Sequence, residues 1–289
     1  MSRNAHFQVD PRLAKILGEN YRSSEQALKE LVDNAFDADA DDVLITLPDP
    51  LTDFPIIIHD NGSGMTENEV RDEYLKIASD RRTRKGDRTN KYARLVKGRK
   101  GIGKFAGLMT ADIMIVETTA RSKTTRLTIR REDLLLAEKD LERIDLLIET
   151  FETPDKQTGT TITLAKLNQN LAFPDPDKLR RLLVLEYGRQ TNFSISVNGE
   201  LLKIEDIPGE TFISEEEIEG IGKVAFRFTI SDGIRPLKHS GIAIRVGGKI
   251  IGKPTYLDLE HDEHISPKML KKIYGEIEAD GLADDVTAD

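Results

Sequence analysis

The sequence predicts an α/β two-layer sandwich: a mixed, largely antiparallel sheet with helices on one face, followed by part of a second α/β domain. Three observations lead there. An amphipathic helix precedes two strand-like segments, DDVLITL and FPIIIHD. Four more, DIMIVETT, TRLTIRR, LLIETFE and GTTITLA, follow one another after a glycine-rich loop. Strands and helices do not alternate strictly, as a doubly wound nucleotide fold requires.

In chain order, helices are expected from about Pro11 to Asn20 and from a cap at Ser23 or Ser24 to Ala38. Within the second, Leu28, Leu31, Val32, Ala35 and Phe36 recur every three to four residues and make one apolar face. The two strands come next, the second ending at Asp60, and the turn cluster NGSG leads to a helix from Thr66 to roughly Ala78. GRKGIGKFAGLMTA places glycines directly before a short helix. After the four strands, a helix from Asp175 to about Arg189 and the strand FSISVNG close a first domain over residues 1–200. Residues 201–289 begin a second domain, with strands VAFRFTIS and GIAIRVGGKIIG and a helical segment around Lys268 to Glu278. The acidic ending EADGLADDVTAD lacks a core pattern and is read as a frayed tail.

The 289 residues contain no cysteine, which excludes disulfides, a thiolate metal site and a cysteine nucleophile. No run is long enough to cross a bilayer and the N-terminus lacks a signal pattern, so a soluble, cytoplasmic protein without a membrane partner is expected. The net charge is −9, yet residues 81–100 hold ten basic residues and one acid, Asp87. Such a block is either a solvated loop or a binder of phosphate or nucleic acid. Its one aromatic residue, Tyr92, supplies no stacking platform for single strands.

Four stretches carry chemistry. On the second helix Glu30, Asp33, Asn34 and Asp37 fall at i, i+3, i+4 and i+7, a polar stripe beside the apolar face. A carboxylate one turn from an amide can combine a general base with a hard ligand for magnesium, and the same stripe can equally face water. In HDNGSGM, Asp60 ends an apolar strand, where its carboxylate needs a partner. Gly62 and Gly64 permit a tight turn and close approach of a flat ligand, and Met65 offers an apolar contact; an ordinary strand-to-helix turn also fits. GRKGIGKFAG sets Gly98, Gly101 and Gly103 before a helix, where free amides and the helix dipole can converge on phosphate, with Lys104 adding a charge. It is neither a Walker loop nor a dinucleotide fingerprint, and a hinge without a ligand is its other reading. GTTITL is a strand start in which Thr160 can bond a base or a bridging water.

In this order and spacing the four stretches resemble the sequence boxes of the GHKL ATPases, named for gyrase, the heat-shock chaperone, histidine kinases and the mismatch-repair protein. The match covers about residues 24–165. The resemblance implies the Bergerat ATP-binding fold, with ATP and Mg²⁺ as ligands. Glu30 would then be the general base for the attacking water and Asn34 the magnesium ligand, with Asp37 and Ala38 on the pocket wall. Asp60 would recognise the adenine amino group, with Gly62, Gly64 and Met65 shaping the base pocket and Thr160 near the base. Gly98, Gly101 and Gly103 would form the hinge and phosphate loop, joined by the backbone amides of Ile102, Lys104 and Phe105. The basic block would belong to a lid over about residues 79–100 that folds over ATP, its cations offsetting phosphate charge.

ELVDNAFDADA is nearer the mismatch-repair, topoisomerase, chaperone and microrchidia branches than the kinases, and no histidine sits in a helical hairpin as a phosphoacceptor. The resemblance thus implies a slow, magnesium-dependent ATPase that dimerises with itself on binding ATP. A module that senses ATP with little hydrolysis is the alternative. A DNA or protein client would bind outside the ATP site. In the hydrolytic branches a second domain supplies a lysine to the γ-phosphate; Lys249 and Lys253 are candidates, and a residue after Asp289 is the other choice.

Overall fold

The computed structural model describes residues 2–5, 23–50, 52–76, 86, 88–98, 103–136, 145–153, 157–167, 174–190, 192–237, 239–246 and 249–282. The chain divides into two compact units, Met1–Leu179 with Phe193–Leu201, and Arg180–Asn192 with Leu202–Asp289. Among the described residues, no helix is long and apolar enough to cross a membrane.

The first unit holds a nine-stranded sheet. Its strands are β1 (Ser2–Ala5), β2 (Asp42–Thr46), β3 (Ile56–Asp60), β4 (Ala111–Ala120), β5 (Lys123–Arg130), β6 (Leu146–Glu152), β7 (Gly159–Leu167), β8 (Ser194–Val197) and β9 (Glu200–Leu201). They lie in the order β1-β6-β5-β4-β7-β3-β2-β8-β9. Every neighbouring pair is antiparallel except β2 with β8, so the sheet is mixed and largely antiparallel as expected. Burial alternates along β2, where Val43 and Ile45 are covered and Asp42, Leu44 and Thr46 are exposed. That period of two marks a sheet with one face in water. The outer face carries polar pairs such as His59 with Thr161 and Arg126 with Glu117.

Helix α1 (Ser24–Asp37) starts where the Ser23 hydroxyl accepts the Gln26 N–H, one turn into the helix. Its stripe of Leu28, Leu31, Val32 and Phe36 is buried, and each such side chain contributes about 1.5–3 kcal/mol of burial free energy. Leu31→Ala would cost about 2–5 kcal/mol through the cavity left behind. The Phe36 ring meets Phe193 edge-on at 5.1 Å between centroids. Strand β1 was not foreseen: Ser2–Ala5 pairs with β6, while the helix expected from Pro11 to Asn20 lies outside the described residues.

Thr66 caps the next helix, and Glu69 reciprocates to make a capping box. Only Glu67–Glu69 is α-helical, as α2; the chain then widens into a π-helical turn at Val70–Tyr74. The expected uniform helix therefore changes pitch where Tyr74 sets its ring against Phe105, 5.8 Å between centroids. Ala78, its expected end, is outside the described residues. Gly103–Met109 forms a tight 3₁₀ helix, followed later by α3 (Arg131–Leu136) and α4 (Pro176–Tyr187).

The second unit is a five-stranded sheet of β10 (Gly209–Ile218), β11 (Gly222–Ser231), β12 (Gly241–Val246), β13 (Lys249–Thr255) and β14 (Ile273–Glu278), ordered β10-β11-β14-β12-β13. The helix expected over Lys268 to Glu278 is corrected: α5 covers only Pro267–Leu270, and the remainder is the central strand β14. In IYGEIE the alternation of Ile273, Gly275 and Ile277 is that of a strand. Gly275 lies so close to Phe228 on β11 that a Cβ would collide with it. Ile242, Leu270 and Ile273 form the core beneath, with Phe226 and Phe228 against them. The acidic ending, expected to fray from Glu278, is structured at its start: Glu278 closes β14, Ala279 is buried and Asp280–Leu282 forms a 3₁₀ turn, while residues 283–289 are outside the described residues.

Candidate functional site

The polar stripe of α1 meets the glycine-rich loop. A Cβ at Gly103 would overlap the Glu30 carboxylate, and one at Gly98 would sit 3.1 Å from Asp37 Oδ2 and 4.0 Å from Asn34 Oδ1. Both glycines thus lie against the stripe with no side chain between. Burial raises the Glu30 pKa, Asp33 and Asp37 add to the rise, and Lys29 opposes it. Asp33 itself is buried and paired with Lys29 at 2.7 Å, which places it beside the stripe as a neighbour held by its own cation. The buried Asn34 Nδ2 has no hydrogen-bond partner among the described residues. Asn34 Oδ1 and the nearby carboxylates of Glu30 and Asp37 are hard oxygens of the kind a divalent cation takes, while the orphaned Nδ2 is a hydrogen-bond donor.

Asp37 accepts the backbone N–H groups of Lys97 and Gly98, both at 2.9 Å. Its carboxylate anchors the segment that opens the loop. At the end of α1 the Ala38 carbonyl accepts the Ser63 N–H at 2.9 Å, and a Cβ at Gly62 would lie 2.8 Å from that carbonyl oxygen. Helix and turn therefore touch at Ala38 and Gly62 with no room for a side chain on the glycine.

Asp60 closes β3 and is only 7% exposed. Burial pushes its carboxyl up to about 6, while N–H donation from Gly62 and Thr160 pulls the other way. Gly64 has φ +62°, and a Cβ there would overlap the Thr119 carbonyl. Glycine is required at that position on both counts. The Met65 N–H donates to Thr118 Oγ1 at 2.8 Å, and Thr118 Oγ1 lies 3.1 Å from Thr160 Oγ1. Thr118 escaped the sequence reading because DIMIVETT shows only a strand; its position opposite Thr160 emerges from the pairing of β4 with β7.

Of the sequence-predicted residues, Glu30, Asn34, Asp37, Gly98 and Gly103 gather in one group, and Ala38, Asp60, Gly62, Gly64, Met65 and Thr160 in another, the two meeting where Ala38 faces Gly62. Gly101 and Ile102 are outside the described residues, as is the side chain of Lys104. The Phe105 ring is buried against Tyr74.

Residues 88–98 of the basic block are tied to the end of α1. Asp39 accepts the Lys91 N–H at 2.7 Å, and Asp41 accepts the Tyr92 hydroxyl at 2.6 Å and an Nζ–H of Lys91. Arg94, 9% exposed, donates to the carbonyls of Phe36 and Ala40 with its guanidinium over the Phe36 ring at 4.6 Å. Asp39 and Asp41, in the turn between α1 and β2, are anchors for this segment. Of the expected lid, residues 79–85, 87, 99 and 100 lie outside the described residues.

The arrangement offers a carboxylate with raised pKa that can take a proton from water, hard oxygens for a divalent cation, and a buried acceptor for the amino group of a flat heterocycle. A family model described as "Histidine kinase-, DNA gyrase B-, and HSP90-like ATPase" matches residues 21–160. A Herpetosiphon aurantiacus protein bearing the name of a type II restriction enzyme, HgiDII, is 28% identical over 178 residues, covering 58% of this chain and 27% of the relative. The chain thus spans about a quarter of the length of that curated relative.

Proposed function

We propose that residues 21–160, matched by the model of the histidine kinase-, DNA gyrase B- and HSP90-like ATPases, form an ATP-binding domain of that family, and that the protein is a magnesium-dependent ATPase in which Glu30 activates the attacking water. The observation that carries the proposal is the placement of Gly98 and Gly103 directly against Asn34, Asp37 and Glu30. A triphosphate held by that loop lies beside a base and a cation ligand on one helix face.

Magnesium bound to the triphosphate would neutralise charge on the phosphoryl oxygens. Asn34, whose Oδ1 faces Gly98 of the loop, is the residue that would hold it. Glu30, whose pKa burial raises, accepts a proton from water as the water attacks. Asp60 accepts the adenine amino group, Gly62, Gly64 and Met65 shape the base site, and Thr160 stands next to Asp60 across β3 and β7. In the proposed cycle the lid over about residues 79–100, anchored to the end of α1 through residues 88–98, closes on ATP, two copies associate, and hydrolysis releases them. The name of the Herpetosiphon relative supports duplex DNA as the client of the whole protein, bound outside the ATP site.

Turnover and nucleotide binding, measured separately on wild type and Glu30→Ala, test the mechanism. Turnover should fall by at least about a hundredfold while ATP affinity stays within about threefold, since the base acts in the transition state. Parental turnover in the variant would sink the assignment. Tight binding without phosphate release in the wild type would instead mark a nucleotide sensor.

A further inference from the structure

One cross-strand row of the first unit's sheet is polar although largely buried. Asp60, Thr160, Thr118, Thr125 and Thr150 stand directly opposite one another on β3, β7, β4, β5 and β6. Their side chains therefore share a face. Thr118, at the centre, is 0% exposed. Three polar groups surround its Oγ1: the Met65 N–H donates to it at 2.8 Å, Thr160 Oγ1 lies at 3.1 Å, and the Gly159 carbonyl oxygen lies at 3.4 Å.

A hydroxyl that has accepted one hydrogen bond still has a single proton to give. O–H···O bonds weaken beyond about 3.0 Å, so the nearer acceptor, Thr160 Oγ1, takes that proton in preference to the Gly159 carbonyl. The Thr160 proton is then free to point away from Thr118, toward whatever lies beside Asp60. We propose that Thr118 is a positioning residue for the base site, setting a directed chain from the Met65 N–H through its own hydroxyl to Thr160, whose hydroxyl donates to a ring nitrogen of the bound purine.

The inference rests on the ATP-binding reading and deepens it. A carboxylate acceptor adjacent to a hydroxyl donor matches a 6-aminopurine, whose amino group donates and whose flanking ring nitrogens accept. A 6-oxopurine would set its carbonyl oxygen against the Asp60 carboxylate. Thr118 touches no ligand in this arrangement; it acts by holding Met65 and orienting Thr160.

Calorimetric titration of the full chain with ADP and its 1-deaza and 7-deaza analogues, in the presence of magnesium, tests the chain of bonds. One analogue should bind the wild type about tenfold more weakly than ADP, the cost of one directed hydrogen bond. In Thr118→Val, ADP itself should bind about tenfold more weakly and the penalty for that analogue should shrink to within about twofold. Thr118→Ser, which keeps the hydroxyl, should keep the penalty. Thr125→Val, the next position in the row, should change neither affinity nor penalty. A merely structural Thr118 would lower affinity while leaving the penalty intact, and that result overturns the proposal. Should Thr118→Val fail to fold, Thr118→Ser and the wild-type analogue titrations still decide, because a wild type indifferent to both analogues is equally fatal. A wild type that binds no ADP removes the underlying ATP reading and the inference with it, an outcome distinct from binding without the penalty.

Discussion

The Asp37 carboxylate accepts the backbone N–H of Gly98 at 2.9 Å, and its other oxygen accepts that of Lys97 at the same distance. The last turn of α1 thereby holds the segment that opens the glycine-rich loop. Asp37→Ala removes both acceptors and leaves two partly buried donors unmet. Hydrogen bonds to a charged partner are worth about 1.5–3 kcal/mol each, so a nucleotide-free melt should fall by several degrees, at about 2–4 °C per kcal/mol for a domain of this size. Asp37→Asn should do little better, because one oxygen becomes an NH₂ facing an N–H. An unchanged melting temperature in both variants would mean that Asp37 serves the ligand alone.

Asp60 predicts opposite pH dependences for stability and binding. Its folded pKa of about 6 lies above the ordinary value, so between about pH 4 and 6 the folded state keeps a proton that the unfolded state has released. The stabilisation is complete below that window and is lost as pH rises through it, a cost of about 3 kcal/mol at neutral pH. A ligand amino group needs the ionised acceptor, so affinity for adenosine, which carries no titrating phosphate, should rise over the same range. Asp60→Asn at pH 7.5 should melt no lower than the wild type while binding adenosine at least about tenfold more weakly. An adenosine affinity that stays flat from about pH 5 to 7.5 would contradict the role given to this carboxylate.

Helix α1 and strands β2 to β8 were legible in the sequence because each carries a local period, of three to four residues or of two, bounded by turn residues. Strand β10 was not, since GETFISEEEI is exposed along nearly its whole length and shows no apolar alternation. In β14 the segment KKIYGEIE reads as a charged helix until the close approach of Gly275 to Phe228 is known. At the site, Glu30, Asn34 and Asp60 stood out by residue type and spacing. The work of Thr118, Asp39, Asp41 and Arg94 depends on partners about 40 to 60 positions away, or on a cross-strand register that no single stretch encodes.

Arg94 predicts where proteolysis begins. Its guanidinium donates to two carbonyls at the end of α1 and packs against the rings of Phe36, Tyr92 and Phe193 at 4.6, 4.6 and 5.2 Å. Lysine cannot reproduce that planar, stacked fork, so Arg94→Lys and Arg94→Met should both release residues 88–98. Trypsin should then cut after Lys91 at least about tenfold faster than in the wild type, in high salt as in low. The exposed Lys91–Asp41 pair is screened by salt and adds little by comparison. Equal cleavage rates in wild type and both variants would show that this segment is held by other contacts.

Gly103 and Gly64 separate a catalytic cost from a folding cost. A Cβ at Gly64 meets the Thr119 carbonyl in a backbone conformation with φ +62°, and neither backbone can retreat without unpairing β4. Gly64→Ala should therefore lower the melting temperature by several degrees, since the left-handed conformation alone costs about 1–2 kcal/mol for a residue with a Cβ. A Cβ at Gly103 meets only the far end of the Glu30 side chain, which can swing aside by rotating its own torsions. Gly103→Ala should leave the melt within about two degrees while turnover falls about a hundredfold, because a displacement of about 1 Å is enough to spoil the alignment of a base with its water. The comparison needs only a melt and a phosphate-release assay on each variant. Wild-type turnover in Gly103→Ala would place the working position of Glu30 away from the loop, and with it the γ-phosphate.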